Sequence, residues 1–202
     1  MKPFLRIFRP HDTELQAHYA GQQAQLKALG ADAEPSQRLP LLGELGEAAC
    51  ILGQPEISLG YLQEALSLAE QSADLLAVVS NRVRLGTTLQ HLERYSEAEN
   101  QFELALKGTL EPELAGQRDL ALQQTGKLLA EQGQYGNARQ CFQQALKLRQ
   151  QKQDPDLIAA SEDALELLDA LGPTEDGFAA TLLQTEFDLS GLPAEAQRLD
   201  KL

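Results

Sequence analysis

Apolar residues recur along this chain at spacings of three and four, the period of an amphipathic helix rather than the alternation of a half-buried strand. Between Leu76 and His91 they fall at 76, 79, 83, 85 and 89. A polar turn follows around Glu93 and Arg94. A second helix is predicted next, with Ser96 as N-cap and Glu99 three residues on, the spacing of a capping box. It carries Ala98, Phe102, Ala105 and Leu106 on one face, and Thr109 to Pro112 end it, since proline cannot continue a helix. Upstream, residues 12–29 read as a helix with Leu15, Tyr19, Leu26 and Leu29 on a stripe, Asp12 or Thr13 as cap and Gly30 as stop. The stretch ADAEPSQRLP reads as a linker. Downstream, DPD at 154–156 breaks one helix and starts another that runs to Leu171. Beyond Gly172 and Pro173, Phe178, Leu182, Leu183 and Phe187 predict a short amphipathic helix.

The pattern repeats. RYSEAENQFELAL, at 94–106, is matched forty positions later by QYGNARQCFQQAL, at 134–146. Tyr95, Ala98, Phe102, Ala105 and Leu106 recur as Tyr135, Ala138, Phe142, Ala145 and Leu146. Gly46, Gly86 and Gly126 keep the same period, as do Ala65, Ala105 and Ala145, with Leu62 in the place of the two phenylalanines. A glycine inside a helix costs roughly 1 kcal/mol against alanine. The expectation is that a second helix backbone approaches there, and that each ring fills a hollow between two alanines. One helical hairpin cannot bury such a face alone, but stacked hairpins can, each contacting its neighbours.

Leu85–Gly86, Tyr95, Ala98, Phe102 and Ala105 resemble the tetratricopeptide repeat (TPR), which has Leu-Gly followed by Ala, Phe and Ala at set offsets. Gly126, Tyr135, Ala138, Phe142 and Ala145 carry the resemblance in a further unit. Leu45–Gly46, Ala65 and Leu66 carry it in the first, where Ser58 stands for an alanine and Pro55 for the tyrosine. The usual TPR period is about 34 residues. The spacing of forty resembles the longer-helix subclass. The paired asparagines common before Leu-Gly in that subclass are replaced by Val83–Arg84 and Gln123–Gln124, and the Lys/Asn clamp of chaperone-binding TPRs is not reproduced. Arg82 stands where many repeats have a large apolar residue. The resemblance implies an all-α, right-handed solenoid of stacked antiparallel helix pairs. It would comprise an N-terminal segment and capping helix over 1–38, a solenoid over 39–171 with three full repeats and a further first helix, and an acidic capping helix and tail over 172–202.

Composition sharpens the picture by exclusion. Net charge is −13, and a phosphate backbone or an anionic membrane would repel such a surface, so neither nucleic acid nor membrane is expected as a partner. MKPFLRIFRP is too short and too interrupted for a signal-peptide core. Two cysteines, Cys50 and Cys141, fit a reducing compartment and read as core residues two repeats apart. A cytoplasmic location is expected. His11 and His18 lie seven apart, about 10 Å along a helix axis, and His91 stands alone, so no metal and no cofactor are expected. No glycine loop suits a phosphate, and the chain does not read as an enzyme.

The first helix of each TPR lines a concave groove, and the resemblance puts Glu47, Cys50 and Ile51 there, then Ser80, Val83, Arg84, Thr87, Gln90 and His91, then Gln123, Gln124, Lys127 and Glu131. The expected peptide-binding set is Glu47, Arg84, Thr87, His91, Gln123, Gln124, Lys127 and Glu131, with Arg84 and Lys127 as cationic anchors for a carboxylate and the amides for main chain. The expected role is a non-catalytic scaffold binding a peptide or protein segment. The alternative is self-assembly, as a homodimer, through the solenoid ends or the C-terminal helix.

Overall fold

Helix boundaries follow the capping chemistry of the sequence. The computed structural model describes residues 4–7, 9–30 and 33–171. The expected C-terminal helix and acidic tail, 172–202, lie outside the described residues. Helix α1 (Thr13–Leu29) is capped by Asp12, whose Oδ1 accepts the Leu15 N–H at 2.9 Å. Helices α2 (Pro35–Ile51) and α3 (Pro55–Gln71) each start on a proline, whose missing N–H would have no partner in a first turn anyway. The expected linker therefore shrinks, and Pro40 sits exposed inside α2. Helix α4 (Leu75–His91) is capped by Asp74, which accepts the Ala77 N–H at 3.0 Å.

Helix α5 spans Tyr95–Gly108. Ser96 lies inside it rather than capping it, and the expected capping box does not form. Arg94 occupies the cap position and instead clasps Glu97 through two 2.7 Å hydrogen bonds. A short 3-10 helix, Pro112–Gln117, leads into α6 (Arg118–Glu131), then α7 (Tyr135–Lys152) and α8 (Pro155–Leu171). Asp154 starts α8 by accepting the Asp156 and Leu157 N–H groups, each at 3.1 Å.

The described residues form an all-α solenoid. The hairpins are α2–α3, α4–α5 and α6–α7, with α1 packed on α2 and α8 on α7. The three hairpin turns have one geometry. Gly53, Glu93 and Gly133 all take positive φ, of 79°, 59° and 79°. In each, the following N–H reaches five residues back, from Gln54 to Ala49, Arg94 to Leu89 and Gln134 to Leu129.

Packing between the helices of a hairpin explains the glycine column. A Cβ on Gly86 would stand 2.6 Å from Phe102 Cε1, and one on Gly126 would stand 2.6 Å from Phe142 Cε1. What comes closest is thus the aromatic side chain of the second helix, not a helix backbone. Both rings are fully buried, each contributing about 1.5–3 kcal/mol. In the first repeat Leu62 fills the same place against Gly46. Ser58, at the alanine position, is compensated by Thr88, and the two buried hydroxyls hydrogen-bond at 2.7 Å. Arg82 is also accounted for. It reaches from α4 to Glu70 of α3 at 2.7 Å and to Gln101 of α5 at 3.1 Å.

Candidate functional site

The first helices also touch one another, α2 with α4 and α4 with α6, so their free faces form one surface. A cavity of about 230 Å³ lies on it. Glu47, Cys50 and Ile51 come from α2, and Ser80, Val83, Arg84, Thr87, Gln90 and His91 from α4. Gln124 and Lys127 come from α6. Six of the predicted residues therefore meet at one place: Glu47, Arg84, Thr87, His91, Gln124 and Lys127.

Their states differ. Arg84 Nε donates to Glu47 Oε2 at 2.8 Å, and both side chains stay partly open to water, so the pair contributes about 0–1 kcal/mol. Thr87 Oγ1 donates to its own helix at Val83 O, 3.0 Å away. Burial, then the nearby Arg6 and Lys127 charges, hold His91 below the usual 6.5 against the pull of Glu131, so the imidazole is neutral at pH 7. Burial and Arg149 push the Lys127 ammonium below 10.5, against Glu131. Among the described residues no hydrogen bond or ion pair reaches Lys127 Nζ. It is a half-buried cation facing the cavity without a hydrogen-bond or ion-pair partner among the described residues. Burial also pushes the Cys50 thiol up, and takes Cys141 to about 12.

Two predicted groove residues are elsewhere. Gln123 is buried because α8 lies over it. It donates to Ala160 O at 3.1 Å and accepts from Ser161 Oγ at 3.0 Å. It belongs to a polar tie centred on Arg149, which is 2% exposed. Arg149 donates to Asp119 at 3.1 Å, Ser161 Oγ at 2.8 Å and Leu157 O at 3.0 Å, and Lys152 meets Asp119 at 2.5 Å. Glu131 is buried for a different reason: the N-terminal segment covers it.

That segment was not legible as part of the groove. Arg6 grips Glu131 with both arms of its guanidinium, Nε to Oε1 at 2.7 Å and Nη2 to Oε2 at 2.5 Å, and also reaches Tyr95 OH at 3.3 Å. The Phe4 N–H donates to Glu131 Oε1 at 2.9 Å. The Phe4 ring stacks on Phe142, with centroids 6.0 Å apart. It is buried among Ala130, Ala138, Ala164 and Leu168. At the other end, the Arg9 N–H donates to Ile51 O at 2.8 Å. Ile51, His91 and Glu131 end their helices at the same repeat position, so the segment crosses the C-terminal rim of all three first helices. Leu5, Arg6 and Ile7 form one wall of the cavity. The available signal was a basic, aromatic stretch, PFLRIFRP, at the start of an acidic chain.

Comparison with known proteins places this arrangement. Models of the tetratricopeptide repeat match residues 37–111 and 121–152, together just over half of the chain. The chain belongs to the tetratricopeptide repeat family. TPRs are in general protein–protein interaction modules and typically non-catalytic. No curated protein matches by sequence. Among solved structures, this TPR chain is similar to BtubC (BKLC) from P. vanneervenii, at 14% identity and a TM-score of 0.64. The match covers 78% of this chain and 66% of that one, just under two thirds of its length. At that identity the likeness shows the helical-repeat fold alone. No described helix is long and apolar enough to cross a membrane.

Proposed function

We propose that this TPR protein is a non-catalytic interaction module that holds a segment of a protein partner in its concave groove. Lys127 carries the reading: a half-buried ammonium faces a cavity with no partner of its own among the described residues. Burying a cation without compensation is costly. A carboxylate from a partner, on a side chain or a chain end, would compensate it. Arg84 can add a second contact because its bond to Glu47 is water-accessible and weak. Gln124, Thr87 and neutral His91 supply polar groups for main chain or side chains. Gln123 holds the scaffold around this surface, and Glu131 lies at its end under the N-terminal segment rather than in the cavity lining. Helix α1 serves as the N-terminal cap of the solenoid, its Leu15, Tyr19 and Leu26 packing on the first repeat. A cytoplasmic location is part of the reading, supported by two unpaired cysteines.

The test is capture of partners from source lysate by wild type and by the Arg84→Glu/Lys127→Glu double variant, with circular dichroism to establish folding. A protein bound by wild type and lost by the folded variant supports the groove. The same set captured by both contradicts it. One observation favours self-assembly as a second reading: Leu167 and Leu171 are exposed on α8, the last described helix. Sedimentation at low concentration separates the two, since only self-assembly requires a dimer that Leu167→Glu/Leu171→Glu dissolves.

A further inference from the structure

Residues 4–7 do more than roof the cavity. Three observations bear on what they are. The Glu131 side chain is fully buried, and both its oxygens are taken by Arg6 and the Phe4 N–H. Phe4 fills an apolar socket and touches Phe142, the aromatic that organises the third repeat. Leu5, between them, is forced into the left-handed region at φ 50°, which a branched L-residue adopts only at a cost. The groove end thus has an aromatic socket and a buried carboxylate two residues apart along a bound chain. It is occupied by a sequence that fits both but strains at the middle position.

We infer that residues 4–7 and Arg9 belong to a tethered, displaceable occupant of the groove, and that the partner is a protein segment carrying an aromatic residue two positions before an arginine. The inference rests on the groove reading above and names the chemistry it selects. If the segment left without a replacement, Glu131 would lose its two-pronged ion pair and the apolar socket would open to water. A partner therefore has to bring both groups. Arginine is preferred to lysine because the carboxylate is gripped at two oxygens by one planar fork. Glycine between the two groups reaches the left-handed conformation without strain. A partner of the form aromatic–Gly–Arg would thus match the site with less conflict than the resident Phe4–Leu5–Arg6. The net charge of −13 attracts such a cationic segment. A short tether supplies the resident segment at an effective concentration of order mM, so a partner must compete with it.

The test uses a labelled, acetylated peptide FLRIFRP and its control ALAIFRP, titrated into the full-length chain and into the full-length Phe4→Ala/Arg6→Ala variant. The expected result is at least tenfold tighter binding of FLRIFRP to the variant than to wild type, with the control binding neither. Adding Glu131→Gln to the variant should weaken FLRIFRP at least tenfold. Should the variant not fold, hydrogen exchange on wild type decides. Saturating FLRIFRP must then speed exchange of the Phe4 and Arg9 amides, which are both hydrogen-bonded. Equal affinity for both chains, or unchanged exchange, overturns the proposal. Equal binding of FLRIFRP and ALAIFRP by the variant also overturns it while leaving the groove reading intact, because chain is held without regard to the pair. Binding of neither peptide overturns it too, and the groove reading then stands or falls on the Arg84/Lys127 capture. A wild-type dimer that Phe4→Ala/Arg6→Ala converts to monomer assigns the socket to a second copy's segment and overturns it as well.

Discussion

Two columns of residues run through this solenoid at the same period of forty and behave in opposite ways. Gly46, Gly86 and Gly126 are invariant within the chain, and each receives the large side chain of the following helix. Ile51, His91 and Glu131 differ completely: an aliphatic residue, a neutral imidazole and a buried carboxylate. The first column lies between helices of one hairpin, where identical packing has to be solved three times. The second lies on the rim of the groove, where nothing within a hairpin constrains it. Sameness at the period marks scaffold, and on the proposed reading difference at the same period marks recognition.

Variants of the scaffold should break it in order of burial. Asp119→Ala leaves Arg149 buried without its carboxylate and should cost about 3–5 kcal/mol in urea unfolding. Phe142→Ala should cost about as much, since it empties both the Gly126 hollow and the Phe4 contact. A cost under about 1 kcal/mol for either would mean that the third repeat is not organised as described.

Glycine substitutions sharpen the comparison further. Gly86→Ala drives a Cβ into Phe102 and should destabilise by about 1–3 kcal/mol despite the better helix propensity of alanine. Gly60→Ala, inside α3 with nothing within 4 Å of its Cβ, should stabilise by about 0.5–1 kcal/mol. If the two variants melt alike, close packing does not explain the glycine column. In the turns, Glu93 sits where the other hairpins have Gly53 and Gly133. Glu93→Gly should therefore stabilise by up to about 1 kcal/mol, read as a rise in melting temperature. The smallest effect is on pH dependence. His91 is held below 6.5 in the folded chain, so the unfolded chain takes up its proton first as pH falls. The contribution is present at neutral pH and is lost below about 6.5, down to the folded-state value. His91→Gln should flatten that part of the stability–pH curve, and an unchanged curve would contradict the half-buried, neutral imidazole.

Much of the fold was legible because the information is local. Helix α1 and its Asp12 cap, the break at Asp154 and the Gly–Phe register all follow from residues close in sequence. Two local details were misread. Proline at the first helical position carried α2 back to Pro35, and Arg94 rather than Ser96 took the cap of α5. The site was legible only in part. Six residues converge as the family resemblance implied, because groove positions follow from helix phase. Gln123 and Glu131 did not, since their environments depend on α8 and on Phe4 and Arg6. A contact between Arg6 and Glu131 spans 125 positions and leaves no periodic trace. Lys127 was legible as a cation of the groove, but its lack of a partner among the described residues was not.

The most direct test of the central claim is a double-mutant cycle on stability, using Arg6→Ala, Glu131→Gln and their combination in the full chain. If the N-terminal segment occupies the groove end through this buried pair, the coupling energy should be about 1–3 kcal/mol. Additivity within about 0.5 kcal/mol would mean that Arg6 and Glu131 do not interact, and would remove the segment from the groove.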